Sequence, residues 1–190
     1  MIDEITLVKQ LQNVQTKEKA FGVLISRYKE RLYWHIRKIV ISHDDADDVL
    51  QNTFIKVFRG IDNFKKESKL YSWMYRIATN ESITFINKRA KEKNTDISEI
   101  KQELISCLQS DEWFTGDEIQ LILQEAIARL PKKQQLVFNM KYFDNMKYNE
   151  ISDILKTSVG GLKASYFHAV KKIEHYIKTK TDYTFFKKVC

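Results

Sequence analysis

Five glycines and one proline in 190 residues leave this chain almost without helix breakers. Such scarcity favours an all-α fold, and the apolar spacing agrees. Between Ala20 and Val40, Phe21, Leu24, Tyr28, Leu32, Ile36 and Ile39 recur every three or four residues, a helical stripe. The stripe breaks at Ser42-His43-Asp44, where Ser or Asp can cap a new helix. From Asp45 to Phe58 one face then holds Ala46, Leu50, Phe54 and Val57. Asp44, Asp48 and Gln51 fall on the other, with Asp47 beside them and no Lys or Arg between Lys38 and Lys56. This patch reads either as capping and solubility or as an acidic docking surface for a basic protein.

Phe64 to Lys93 is the most informative stretch. A polar loop, Lys65 to Lys69, runs into a helix-length segment that ends in Lys88, Arg89, Lys91 and Lys93. Trp73 with Ile77 and Met74 with Ala78 are spaced to pack on a core. Tyr71, Tyr75, Arg76 and Asn80 are then expected to remain outside. Rings on which bases stack, beside cations that track phosphates, suit single-stranded nucleic acid. The alternative is an amphipathic helix with a solvated basic end.

After Lys93 the pattern fades. The expected division is a first domain at 1–93, an acidic linker at 94–116, a second domain at 117–180 and a tail at 181–190 carrying Phe185, Phe186 and Val189. Net charge follows it: +6 over residues 1–94, −6 over 95–118 and +7 over 119–190. In the second block Ile119, Ile122, Leu123, Ala126, Ile127 and Leu130 form a stripe ending at Pro131. A helix through Leu136, Val137, Met140 and Phe143 follows, then a turn at Asp144-Asn145. A short helix with Ile151, Ile154 and Leu155 is closed by Lys156-Thr157-Ser158, and Val159 to Ile177 makes a last helix. Short helix, turn and longer helix is the order of a helix-turn-helix, with Ser158 as the expected N-cap. Away from Leu162 and Tyr166, the last helix presents Gly160, Gly161, Ala164, Phe167, His168 and Lys171, flanked by Lys163 and Lys172. Small residues near its start admit a groove, lysines favour phosphate, and Phe167 and His168 suit base edges or methyls.

Enzymatic chemistry finds no support in the motifs. The chain has no glycine-rich phosphate loop, GxSxG elbow or HExxH pair. Cys107 and Cys190 lack metal spacing, His35, His43, His168 and His175 are dispersed, and Asp44, Asp45, Asp47 and Asp48 do not converge on an ion. Neither a cofactor nor a metal is expected. No apolar run is long enough to span a bilayer, and MIDEITLVKQ is not a secretory signal. A cytoplasmic protein is the expectation.

Joined in order, the motifs resemble a family. Asp45 to Phe54, DADDVLQNTF, resembles the acidic helix of region 2 in sigma-70-family transcription initiation factors. Phe64 to Asn80, containing WMYRIA, is similar to the promoter-melting part of that region, and Leu130-Pro131 through Ile173 to region 4. With these two regions and a short connector, the chain resembles the extracytoplasmic-function (ECF) group. The resemblance implies partners: core RNA polymerase through its β and β′ subunits, promoter DNA, and an anti-sigma factor or another recruiter. It implies that Asp47, Asp48 and Gln51 meet the β′ clamp helices. By the same likeness Phe64, Lys65, Lys66, Ser68 and Asn80 capture a base flipped from the −10 element. Lys56, Trp73, Tyr75, Arg76, Lys88 and Arg89 would support the melted strand. Ser158, Gly161, Lys163, Ala164, Phe167, His168 and Lys171 would meet the −35 element.

The chain departs from the family at Ser165, His168 and Val170, where arginines are common, and at Lys147, where a Ser or Thr cap is common. Fewer arginines mean fewer bidentate contacts, so weaker or altered −35 recognition is expected. Two other classes stay open. One is a stand-alone helix-turn-helix regulator binding a palindrome as a dimer, and the other is a degenerate sigma-like module that only sequesters a partner.

Overall fold

The computed structural model describes residues 2–65, 68–107 and 118–189, with side chains described except at 98, 101, 107 and 181–189. Lys66, residues 108–116 of the acidic connector and the side chains of the tail lie outside the described residues. The helices run in the order α1 (Glu4–Leu11), α2 (Lys17–Val40), α3 (His43–Gly60), α4 (Leu70–Glu92), α5 (Ile97–Cys107), α6 (Glu118–Ala128), α7 (Lys132–Phe138), α8 (Tyr148–Leu155) and α9 (Val159–Val189). Among the described residues no strand occurs. The fold is all-α, and it divides into two compact units. One is Met1–Phe85 with Asp153–Leu155, and the other is Ile86–Ser152 with Lys156–Cys190.

The first unit is built on the pairing of α2 with α3. Leu24, Tyr28, Leu32 and Ile36 are buried from α2, and Ala46, Val49, Leu50, Phe54 and Val57 from α3. Phe21 closes the seam edge-on against Phe58 (4.9 Å) and Phe54 (6.2 Å), the geometry ring quadrupoles favour. The Ser42 hydroxyl caps α3 by accepting the Asp45 N–H at 3.4 Å. The preceding Ile41 makes the turn at φ 67°, a costly conformation for a β-branched residue. Its side chain is buried, which offsets part of that cost.

In α4 the buried side differs from the expected one. Met74 and Ala78 are buried as anticipated, but so are Ser72, Tyr75, Thr79 and Ser82, while Trp73 and Ile77 are only half-buried. Hydroxyls can turn inward here because each finds a carbonyl one turn back: Thr79 donates to Tyr75 O (2.7 Å) and Ser82 to Ala78 O (2.8 Å). Tyr75, expected as an outward stacking ring, is 1% exposed. It lies 4.7 Å from the buried His35 ring and donates a long bond to Arg31 O (3.4 Å).

In the second unit, the acidic connector begins with α5, which buries Ile100, Leu104 and Ile105. Glu103 receives Lys93 (2.6 Å) and Arg89 (2.9 Å) from the end of α4 and just beyond it, and these contacts hold its carboxyl below the usual range. The core proper gathers Ala126, Ile127 and Leu130 with Phe138 of α7 and Ala169 and Ile173 of α9. Past α7 the chain widens into a π-helix, Asn139–Phe143, where Tyr142 stacks on Phe138 (5.2 Å) and Tyr166 of α9 also stacks on Phe138 (5.8 Å). The long α9 is tied to α6 by Tyr176, whose hydroxyl donates to the buried Glu125 at 2.8 Å.

Truncating Tyr75 to Ala is expected to destabilise the first unit by about 3–5 kcal/mol, as for other large buried aromatics. Tyr75→Phe should cost less than ~1 kcal/mol, because the lost hydrogen bond is long. Denaturant titration followed by circular dichroism measures both.

Candidate nucleic-acid interface

The buried face of α3 settles what its other face can do. With Ala46, Val49, Leu50, Thr53 and Phe54 inward, the residues left exposed between Asp44 and Ile55 are Asp44, Asp47, Asp48, Gln51, Asn52 and Ile55, and the cations Lys56 and Arg59 are exposed only in the last turns. Asp47, Asp48 and Gln51 thus share one open surface at helical spacing. Asp47 is steadied by His43 (3.8 Å), whose Nδ1 meets the Tyr33 hydroxyl at 2.5 Å. Ile55, 42% exposed, is a large apolar side chain on the same strip. Sequence reasoning passed over it, although its place four residues after Gln51 was a readable signal.

Beyond α3, a single 3-10 turn at Ile61–Asn63 leads into the loop that precedes α4. Lys65 is exposed and Ser68 half-buried. Phe64 is a correction: it is 7% exposed, with its ring 5.2 Å from Trp73, so it roots the loop and offers no stacking face. Gly60 lets Trp73 approach, because a Cβ there would lie 3.3 Å from the indole. Along α4, Trp73 and Arg76 are half-buried and Asn80 is exposed, all away from the side that buries Tyr75. Tyr75 is the second correction, since a ring sealed against His35 cannot meet a base. The outlying cations are engaged inside the protein: Lys56 with Glu81 (2.6 Å), Lys88 with Glu92 (3.6 Å) and Arg89 with Glu103 (2.9 Å). Of these pairs, Lys56 and Lys88 sit on largely solvent-facing side chains, and exposed pairs contribute at most about 1 kcal/mol, so both lysines remain exchangeable toward phosphate.

In the second unit α8 ends at Lys156 in the left-handed conformation (φ 51°). α9 then starts from Ser158, whose hydroxyl accepts the Gly161 N–H at 3.3 Å. Lys147, which cannot accept, leads into α8, and Glu150 takes the Lys147 N–H at 3.0 Å in place of a hydroxyl cap. The open face of α9 carries Gly160, Lys163, Ala164, Phe167, His168, Lys171 and Lys172, with Gly161 half-buried beside them. Phe167 is 59% exposed, an unusual position for a ring that packs on nothing larger than its neighbours His168 (5.7 Å) and Lys171 (6.0 Å). Lys171 also pairs with Glu174 at 3.2 Å. Lys163 and Lys141 both lie over the Tyr148 ring, at 6.0 and 5.4 Å. Lys141 could not be read from the residue pattern, because the π-helix that carries it has no simple residue signature.

The expected sites therefore assemble as three separate surfaces, on α3, on the loop with α4, and on α9. Among the described residues no cluster of three or more His, Cys, Asp or Glu could hold a metal, and no helix is long and apolar enough to cross a membrane.

Residues 24–92 match Sigma-70 region 2 and residues 120–173 match Sigma-70 region 4. Together these cover most of the chain, and the protein belongs to the sigma-70 family. Its curated relatives narrow this to the ECF group. The ECF RNA polymerase sigma-E factor of Haemophilus influenzae is 28% identical over 189 residues, covering 94% of this chain and 98% of the relative. That of Escherichia coli K12 is 26% identical over 187 residues, covering 94% and 97%. The fold is shared with CnrH, solved in complex with the cytosolic domain of CnrY (TM-score 0.68, 19% identity, 93% of this chain and 97% of that one). It is shared too with the sigma factor RpoE of Bartonella quintana, solved with the anti-sigma factor NepR (TM-score 0.65, 18% identity, 84% and 98%).

Ser158→Ala removes the acceptor that starts α9 and is expected to cost about 1 kcal/mol, with Ser158→Asp retaining most of the stability. Thermal melts of the two variants against the parent check it.

Proposed function

We propose that this chain carries core RNA polymerase to promoters and opens them through the three surfaces described, one task for each. The exposed strip of α3, Asp47, Asp48 and Gln51 with Ile55 at its end, docks on a basic surface of the polymerase β′ subunit. The loop before α4, with Asn80, Arg76 and Trp73, receives the melted −10 strand. The face of α9 from Lys163 to Lys171 enters the major groove at −35. Residues 1–93 and 117–180 form the two working domains, and 94–116 join them as a linker that threads the polymerase near the RNA exit path. The chain acts in the cytoplasm and supplies no bond-making chemistry, because the polymerase holds the active site. An anti-sigma factor is a fitting partner, since the Bartonella neighbour was solved in complex with one, and one that covered α3 or α9 would silence this chain.

The observation that carries this reading is the strip on α3. A free-standing DNA regulator has no use for two aspartates, a glutamine and an exposed isoleucine on a helix opposite its own core, whereas a protein that must grip a large basic partner does. Extruding bases costs stacking, and each base that stacks on a protein ring recovers about 1–3 kcal/mol. Trp73 is the α4 ring placed for that.

Two measurements test the reading. Asp48→Arg with Gln51→Ala should lower affinity for core polymerase at least tenfold, about 1.4 kcal/mol, with the circular dichroism spectrum unchanged. Undiminished co-purification with core would overturn the docking assignment. Lys163→Ala should weaken promoter binding across sequences and reduce the slope of log affinity against log salt by about one. Run-off transcription with added core enzyme supplies the promoter for both.

A further inference from the structure

Residues 24–92 match Sigma-70 region 2, and α1 lies before that match. Leu7, Val8 and Leu11 are buried, so α1 is part of the first unit's core, yet its polar side chains do something more specific. The Gln12 amide, just past the end of α1, donates to two carbonyls at once: Ile61 O at 3.1 Å and Phe64 O at 3.0 Å. Both its N–H groups are spent on the stretch where the loop leaves α3. Glu4, in the first turn of α1, accepts the Leu70 N–H at 2.9 Å. Leu70 is the first residue of α4, so its amide has no partner within its own helix, and a carboxylate there also suits the positive end of the helix. Lys17, at the start of α2, bonds Asp62 at 2.7 Å and lies 4.7 Å over the Phe58 ring.

One short helix and its exit thus tie down both feet of the loop that separates α3 from α4. Phe64 and Ile61 are buried at the near foot, and Leu70 at the far one, leaving Lys65, Ser68 and Lys69 between them. We propose that Gln12, Glu4 and Lys17 are positioning residues for strand capture, a brace that fixes the two feet of the loop and so holds Lys65, Ser68 and Lys69, with Asn80, for one extruded base. None of the three needs to touch DNA. Their effect is to keep the capturing groups in one geometry, so that the ordering cost is met on folding and not on binding. A loop held at one foot only would still bind a strand through charge, but without choosing among bases.

This inference rests on the loop's role in promoter opening, and its test separates the two. Full-length protein is combined with core polymerase, and binding to fork templates pre-melted at −10 is compared between the preferred base and a substituted one. Gln12→Glu is nearly isosteric but sets acceptors against the two carbonyls; Glu4→Ala removes the acceptor for Leu70, and Glu4→Gln restores one. Gln12→Glu and Glu4→Ala are expected to lower the base preference at least tenfold and to slow opening of duplex promoter by a similar factor. Core affinity should stay at the parent value, and Glu4→Gln should behave as the parent. The proposal is overturned if both damaging variants keep the parent preference, or if preference falls only in step with core affinity. A parent holoenzyme with no preference at the melted positions would remove the loop's role itself, and the brace with it.

Discussion

The contact that sets how α4 presents its side chains is the buried trio of His35, Tyr75 and Thr79. His35 Nε2 lies 2.9 Å from the Thr79 hydroxyl, and that hydroxyl gives its own proton to Tyr75 O. Its oxygen is therefore the acceptor, and the histidine carries its proton on Nε2. A buried imidazole without a partner would be costly, so this arrangement locks α4 against α2 in a single rotation. The rotation decides which side chains of α4 reach solvent. Trp73, Arg76 and Asn80 lie outward because Tyr75 and Thr79 are claimed by the core. A shift of one residue would set Arg76 where Tyr75 sits and Asn80 where Thr79 sits, leaving a buried guanidinium and a buried amide to satisfy.

The same logic, one buried face dictating one working face, holds on α3 and α9, with different chemistry. On α3 the core takes mostly large aliphatic and aromatic side chains, and the exposed face of its first three turns is acidic, with no Lys or Arg between Lys38 and Lys56. Such a surface favours a basic partner over DNA, so under the proposed assignment it would not compete with the outward side of α4 for the same ligand. On α9 the remainder is basic, with Phe167 in its middle. Both surfaces lie on rigid helices, and rigid presentation lowers what must be ordered on binding.

The departures of α9 from the sigma-70 pattern look different once the packing is known. The Ser165 hydroxyl bonds Gly161 O at 2.8 Å, and Val170 packs against the core of the second unit. Neither lies on the exposed face, and an arginine at 170 would have to leave that core to reach a groove. His168 is the departure that alters the groove-facing surface directly, since it replaces a bidentate fork with a smaller ring. The missing hydroxyl cap at Lys147 is offset locally by Glu150. Under the proposed assignment, recognition of −35 would rest on Lys163, Phe167 and His168 together.

The sequence by itself determined the all-α class, the family, the acidic strip of α3 and the basic face of α9. Those helices bury long apolar side chains at intervals of three and four, and such spacing is readable without coordinates. The capping of α9 by Ser158 was legible for the same reason, being set within four residues. The tertiary structure alone decided the rotation of α4, the burial of Tyr75 and Phe64, and the bonds from Gln12 and Glu4 to the loop. Serine and threonine can face inward when a carbonyl one turn back takes their proton, so α4 has no clean apolar stripe to read. The bond from Glu4 to Leu70 spans 66 residues, and only folding brings those groups together.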